Sequence, residues 1–345
     1  MSEAVEQREA DQIAGVAPPE TQPLVGHAET MATLTAAVAQ GRPPAAVLLH
    51  GPRGIGKATF AFALARHVLA ATGDEPEARV AAQIATMAHP NLTVLRRGRD
   101  LTSATPKFYS AIRVDEVRAA REALHRTRGR AGYRVCIIDA IDDCNPSSAN
   151  ALLKTLEEPP ADTLFIVISH RPGGLLPTIR SRCQSIGMRP LSDAEVRAVL
   201  ASGQVAADDA ALDRATALAQ GRPRRGFETL VLTEGELLDA LLNWLRAPEA
   251  HQSRVHLALA DALASGKGAE LIFAQDLLRD WIADQARETA RAGASRLQLA
   301  SANALWEKAN ALFADADIYN LDRRQTLVAV FDALRDHARK TTPVS

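Results

Sequence analysis

The chain opens on a polar stretch and then changes rhythm. Residues 1–22 are mostly polar, carry Pro18-Pro19, and are expected as a loose, disordered tail. From Pro23 to about Met188, short apolar runs alternate with longer amphipathic segments. The runs fall at 46–49, 92–95, 135–139, 164–169 and 184–188, and read as strands. Between them, 59–70 reads as a helix marked by Phe60, Phe62, Leu64 and Val68, and 114–124 as a second. A third spans 146–156, with Asn145 as N-cap, Pro146 at the first helical position and Glu158-Pro159-Pro160 as its stop. Strands separated by helices predict a parallel α/β sheet.

Past about Arg189 the strand pattern fades. Ser192 with Glu195 three residues on is a capping box opening a helix over 192–200. Asp208 caps a helix over 208–220, which Gly221 and Pro223 end. From about Glu234 to Arg339 the periodicity is helical throughout, with Trp244, Trp281 and Trp306 expected as core anchors. Turns are expected at Gly266-Lys267-Gly268 and Arg291-Ala292-Gly293. The predicted organisation is therefore the tail (1–22), an α/β domain (23–188), a small helical domain (189–233) and an all-α C-terminal domain (234–345).

Composition changes this picture little. The 345 residues are 47% hydrophobic, enough for two or three cored domains. The net charge of −1 excludes a generally cationic nucleic-acid binder, so any DNA contact must come from a local patch. The one concentrated basic stretch is Arg113, Arg118, Arg121, Arg126, Arg128, Arg130 and Arg134 with His125; a solvated helix face is the favoured reading, and a phosphate- or partner-facing patch the sharper one. Cys136, Cys144 and Cys183 lack any close pairing, which argues against a disulfide framework and fits a reducing cytoplasm. No apolar stretch reaches ~18 residues, and the acidic, polar start is no signal peptide, so a cytoplasmic chain without membrane association is expected.

The chemistry is concentrated after the first apolar run. Gly51-Pro52-Arg53-Gly54-Ile55-Gly56-Lys57 has the spacing of a P-loop, whose backbone amides and following helix N-terminus cradle phosphate while Lys57 reaches the outer phosphates. The hydroxyl that should follow to hold Mg²⁺ is replaced by Ala58, and Thr59 lies ~100° further round the helix. Asp139 ends the 135–139 strand and is placed to hold Mg²⁺ through water, but Ala140 stands where a water-polarising carboxylate is needed. Asp142 and Asp143 read as loop charges. No metal site is assigned.

Two further segments complete the pattern: Asn150-Ala151-Leu152-Leu153-Lys154-Thr155-Leu156-Glu157-Glu158-Pro159-Pro160, and Leu175-Leu176-Pro177-Thr178-Ile179-Arg180-Ser181-Arg182-Cys183-Gln184. With the P-loop before them they resemble the clamp-loader branch of the AAA+ proteins, over about residues 23–184. Beyond that the likeness rests on helical architecture and on Asn320-Leu321-Asp322-Arg323-Arg324-Gln325. The resemblance implies an AAA+ α/β domain, a lid and a helical collar that joins subunits. It implies that Arg182 is an arginine finger acting in trans on a neighbour's ATP, with Arg180 the structural arginine. It places a γ-phosphate sensor at Ser169 or His170, a second sensor at Arg224 or Arg225, and the adenine pocket at Val25-Gly26-His27. Partners would be other clamp-loader subunits of gamma/tau and delta type and, through the complex, a sliding clamp and primed DNA at a DNA-directed DNA polymerase. Many such subunits carry a four-Cys zinc module after the P-loop; 69–134 contains no Cys, so zinc is not expected, and 71–87 is expected as helix and loop. ATP or ADP with Mg²⁺ is the expected cofactor, bound weakly or not at all. The favoured function is a scaffold with little or no ATPase activity of its own. A self-sufficient ATPase motor of the same branch is the alternative: Lys57 and Asp139 support it, and Ala58 and Ala140 oppose it.

Overall fold

The computed structural model describes residues 12–13, 15–100, 107–125, 130–231, 235–266, 268–291, 296–319 and 321–341. The chain divides into two compact units, Met1–Val231 and Leu232–Ser345.

The first unit is built on alternating strands and helices. In chain order they are α1 (Ala28–Ala39), β1 (Ala46–His50), α2 (Lys57–Thr72), α3 (Glu77–Ala85), β2 (Leu92–Leu95), the short strands β3 (Arg99–Asp100) and β4 (Lys107–Phe108), α4 (Val114–His125), β5 (Arg134–Ile138), α5 (Pro146–Glu157), β6 (Thr163–Ser169), α6 (Pro177–Arg180) and β7 (Gln184–Gly187). Five strands form one sheet in the order β2-β5-β6-β1-β7, every pair parallel. The β3–β4 pair is antiparallel and separate. Strict alternation explains why both faces are covered. Val47, Leu49, Val135, Ile137, Ile166 and Ile168 pack with Phe60, Leu64 and Val68 of α2, with α1 and with α3. Leu48, Cys136, Ile138, Phe165 and Val167 pack with Val117 and Leu124 of α4, Leu152 and Leu156 of α5, and Ile179. β6, between β5 and β1, is buried along its whole length: Leu164, Phe165, Ile166, Val167 and Ile168 are apolar, and polar Thr163 and Ser169 stand at its two ends.

Local signals act as the sequence suggests. The Asn145 side chain accepts from the Ser148 amide, and Ser192 with Glu195 forms the full capping box of α7 (Asp193–Ser202). Asp208 caps α8 (Asp209–Ala219). Pro223 does more than close the preceding segment: it is the first residue of α9 (Pro223–Val231). The segment 71–87 contains α3, whose Val80 and Ile84 are fully buried.

The expected loose tail does not extend over its described residues. Ile13 is buried in the cluster formed by Leu191, Val196, Leu200, Leu212 and Phe227, and Glu20 is 1% exposed beneath the Arg96 guanidinium, 3.2 Å away. Apolar Ile13 and Val16 supply the docking surface that a polar average over 1–22 conceals.

The second unit contains α10 (Gly235–Arg246), α11 (Ser253–Ser265), α12 (Gly268–Arg291), α13 (Arg296–Tyr319) and α14 (Arg323–Thr341). Trp244 is its anchor: its ring lies 4.8 Å from Phe331 and 6.1 Å from His256, centroid to centroid. Trp281 is half-buried, and Trp306 is 46% exposed, so Trp306 is no core residue. On α13, Leu305, Ala309 and Phe313 turn inward and leave Trp306 on the outer face. Of the expected turn residues, Lys267, Ala292 and Gly293 lie outside the described residues, as does Asn320. Among the described residues, no helix is long and apolar enough to cross a membrane.

Candidate functional site

Parallel sheets bind ligands in the crevice beyond the carboxyl ends of their strands. Here that edge carries the chemically active residues. Gly51 follows β1, Arg96 follows β2, Asp139 follows β5 and His170 follows β6. Arg96, Asp139 and His170 face a cleft of about 190 Å³ lined also by Val25, residues 53–59, Arg97, Asp143 and, from the segment after β7, Leu191, Pro223, Arg224 and Phe227.

The loop after β1 has P-loop geometry. Gly51, Gly54 and Gly56 have φ of 151°, 85° and 93°, which L residues avoid. The N-terminus of α2 then points its free amides at the cleft. Lys57, 3% exposed, folds back onto the loop: its Nζ donates to the carbonyls of Gly51 at 2.7 Å and Pro52 at 2.6 Å. Burial lowers its pKa from 10.5 to about 8, against the opposing pull of Asp139 and Asp142. Phosphate entering the loop would take the ammonium from these carbonyls. Ala58 and Thr59 both line the cleft.

The start of α9 packs directly on the loop. The Arg224 amide donates to the Gly54 carbonyl at 3.2 Å, and a Cβ on Gly54 would lie 2.8 Å from that of Arg224. Gly26 is constrained in the same way, because a Cβ there would meet Leu191 at 2.5 Å. The His27 Nε2–H donates to the Ile55 carbonyl at 3.2 Å, and the ring lies edge-on to Phe60. Of Arg224 and Arg225 on α9, Arg224 lines the cleft, with its Nε 2.8 Å from Glu228. Arg225 is 8% exposed and turns toward Gln220.

The acidic side of the site differs from a simple reading of the sequence. Asp142 is no free loop charge. Its carboxylate accepts from the Ser169 hydroxyl at 3.1 Å and from the amides of His170 at 2.6 Å and Arg171 at 3.2 Å. Ser169 is fully buried and committed to Asp142, so of the two sensor candidates it is His170 that reaches the cleft wall. Asp143 pairs with Arg97 at 3.3 Å. Asp139 has the Arg96 Nε at 4.0 Å from its Oδ2, while the far side of the same guanidinium meets Glu20 and its face covers the Phe62 ring at 5.1 Å. Arg96 and Arg97 went unassigned in the sequence. The signal was present: they directly follow an apolar run, and a residue placed after a parallel strand faces the crevice.

Arg182 lies outside this cleft. Ser181-Arg182-Cys183 follows α6, and Arg182 is surface-exposed there, with Nη2 2.8 Å from the Glu157 carboxylate and Nη1 donating to the Thr178 carbonyl at 3.0 Å. Arg180 is also exposed, so Arg182 and not Arg180 makes this intrachain ion pair. In the basic stretch, Arg113 and Arg118 pair with Asp115 and Arg130 with the buried Glu75, consistent with a solvated or structural role; Arg126 and Arg128 lie outside the described residues. The three thiols are inert by burial: Cys136 is raised to about 12, and Cys144 and Cys183 to about 11.

Comparison with known proteins supplies the family context. Residues 26–192 match the family described as DNA polymerase III, delta subunit. The chain is 39% identical over 142 residues to the DNA polymerase III subunit delta′ of Pseudomonas aeruginosa, covering 40% of this chain and 41% of that protein. It is 32% identical over 175 residues to subunit delta′ of Bacillus subtilis, covering 50% and 49%. It is 31% identical over 228 residues to subunit gamma/tau of Mycobacterium tuberculosis H37Rv, covering 65% and 39%. The matches therefore span half or less of each of these relatives. Over residues 26–192 this chain is therefore similar to the family described as DNA polymerase III, delta subunit, and over parts of its length to subunits named delta′ and gamma/tau.

Proposed function

We propose that the chain is a clamp-loader subunit of the delta-prime type, acting in DNA replication as a scaffold that presents Arg182 to the ATP of a neighbouring subunit. One observation carries the reading: the signature arginine sits at the surface, outside its own cleft, while that cleft lacks a metal hydroxyl at Ala58 and a carboxylate at Ala140. Phosphoryl transfer spreads negative charge over the γ-phosphate oxygens, and a guanidinium arriving from another subunit stabilises it. The cleft itself retains the features of a phosphate site: loop amides, a helix N-terminus and Lys57. Val25, Leu191 and Phe227 offer an apolar wall for a base. Its role is nucleotide binding without turnover. Partners are subunits of gamma/tau and delta type, with a sliding clamp and primed DNA reached through the assembly. The five helices of the second unit are the proposed subunit-joining collar.

The test is Arg182→Ala in the reconstituted assembly. ATP turnover falls by an order of magnitude or more, within the ~10³–10⁵ worth of an arginine finger, while the complex still forms on a sizing column. Undiminished turnover, or brisk hydrolysis by the isolated chain that Lys57→Ala abolishes, overturns the reading in favour of a motor subunit.

A further inference from the structure

A P-loop fold implies Mg²⁺ beside the outer phosphates, held by the hydroxyl after the lysine and, through water, by the strand-end carboxylate. The residues present do not fit that ion. Position 58 has no oxygen, because it is Ala58. Asp139, the remaining ligand, already faces a guanidinium at 4.0 Å and a buried ammonium that it attracts. Arg96 is not a mobile surface charge: its side chain is 12% exposed, pinned at one end by Glu20, which is almost fully buried, and stacked on Phe62. A divalent cation at Asp139 would sit against the held guanidinium of Arg96.

The cleft wall carries Arg53, Lys57, Arg96, Arg97 and Arg224; Asp139 and Asp143 line it too, and Glu20 and Glu228 pair with Arg96 and Arg224. Five cationic side chains gathered round one phosphate loop offer a polyphosphate direct charge-assisted hydrogen bonds. We infer that this chain binds a nucleoside di- or triphosphate without a divalent metal, Arg96 standing in cis where the ion would act. The inference deepens the nucleotide-pocket part of the function proposed above and is independent of Arg182. A fixed guanidinium cannot ligate and activate water, which accounts for a site that holds nucleotide and leaves it intact.

The test is equilibrium binding of ADP and of ATP to the full chain, by calorimetry, in EDTA and in millimolar Mg²⁺. The expected result is a Kd that agrees within about twofold between the two conditions. Arg96→Ala is expected to weaken binding in EDTA at least tenfold and to make binding Mg²⁺-dependent, with Arg96→Lys recovering part of the loss. Because Arg96→Ala leaves Glu20 buried without its guanidinium, the Glu20→Gln/Arg96→Met pair serves as the second variant and is expected to show the same loss. A tenfold or greater gain from Mg²⁺ in the unaltered chain overturns the inference, as does a folded Arg96 variant that binds unchanged in EDTA. Failure of both nucleotides to bind at millimolar concentration overturns it too, while leaving the Arg182 proposal standing.

Discussion

The ion pair between Arg182 and Glu157 makes a quantitative prediction about how the proposed finger is held. Both side chains are partly exposed, 35% and 44%, at an N–O separation of 2.8 Å. A pair this wet is worth about 0.2–1 kcal/mol, well below what the short distance alone suggests. At tenfold per 1.4 kcal/mol, that range is a factor of about 1.4 to 5 in the population of arginine free to reach a neighbour. Glu157→Gln keeps the shape of the side chain and removes the charge. In the reconstituted assembly it is expected to raise ATP turnover at subsaturating ATP by no more than about fivefold. Chemical denaturation of the isolated chain is expected to shift by less than about 1 kcal/mol. The reasoning fails if Glu157→Gln lowers turnover as Arg182→Ala does, because Glu157 would then support the engaged finger instead of restraining the free one. It also fails if the variant loses more than about 2 kcal/mol of stability, since an exposed pair cannot supply that.

Two further outcomes follow from the loop after β1. Lys57 releases its proton near pH 8 in the folded chain but near 10.5 when unfolded, so between those values the unfolded state holds the extra proton and stability rises with pH. Urea titrations at pH 7.5, 8.5 and 9.5 are expected to show that rise, and Lys57→Met to flatten it; an identical slope in the variant would assign the effect to another group. Gly54→Ala places a Cβ 2.8 Å from that of Arg224 at a φ of 85°, at an expected cost of about 1–3 kcal/mol, or a drop of several degrees in Tm by calorimetry.

How much of this was legible beforehand differs by element. The strand runs were readable because a doubly covered parallel strand is apolar through its middle, as Leu164, Phe165, Ile166, Val167 and Ile168 of β6 show. The caps at Asn145, Ser192 and Asp208 were readable because capping is a contact between residues three apart. Trp306 was misplaced because bulk alone does not set the face of a helix; the neighbouring Leu305, Ala309 and Phe313 decide it. Ile13 was missed because two or three apolar residues in a polar stretch look like noise until Leu191 and Phe227 are there to receive them.

The sequence by itself determined the phosphate loop, its missing hydroxyl at Ala58 and the Ser181-Arg182-Cys183 signature, since each is a run of adjacent residues whose backbone geometry or chemistry is local. It could not determine what each charge meets. Asp142 is bonded to Ser169, Arg182 is paired with Glu157, and one arginine is shared between Glu20 and Asp139. Those partners lie tens of residues apart. Asp142 meets Ser169, and Arg96 meets Asp139, because parallel strands carry their carboxyl ends to one edge, where a charge shielded from water must find its opposite; Arg182 and Glu157 meet instead at the surface, where α6 packs on α5.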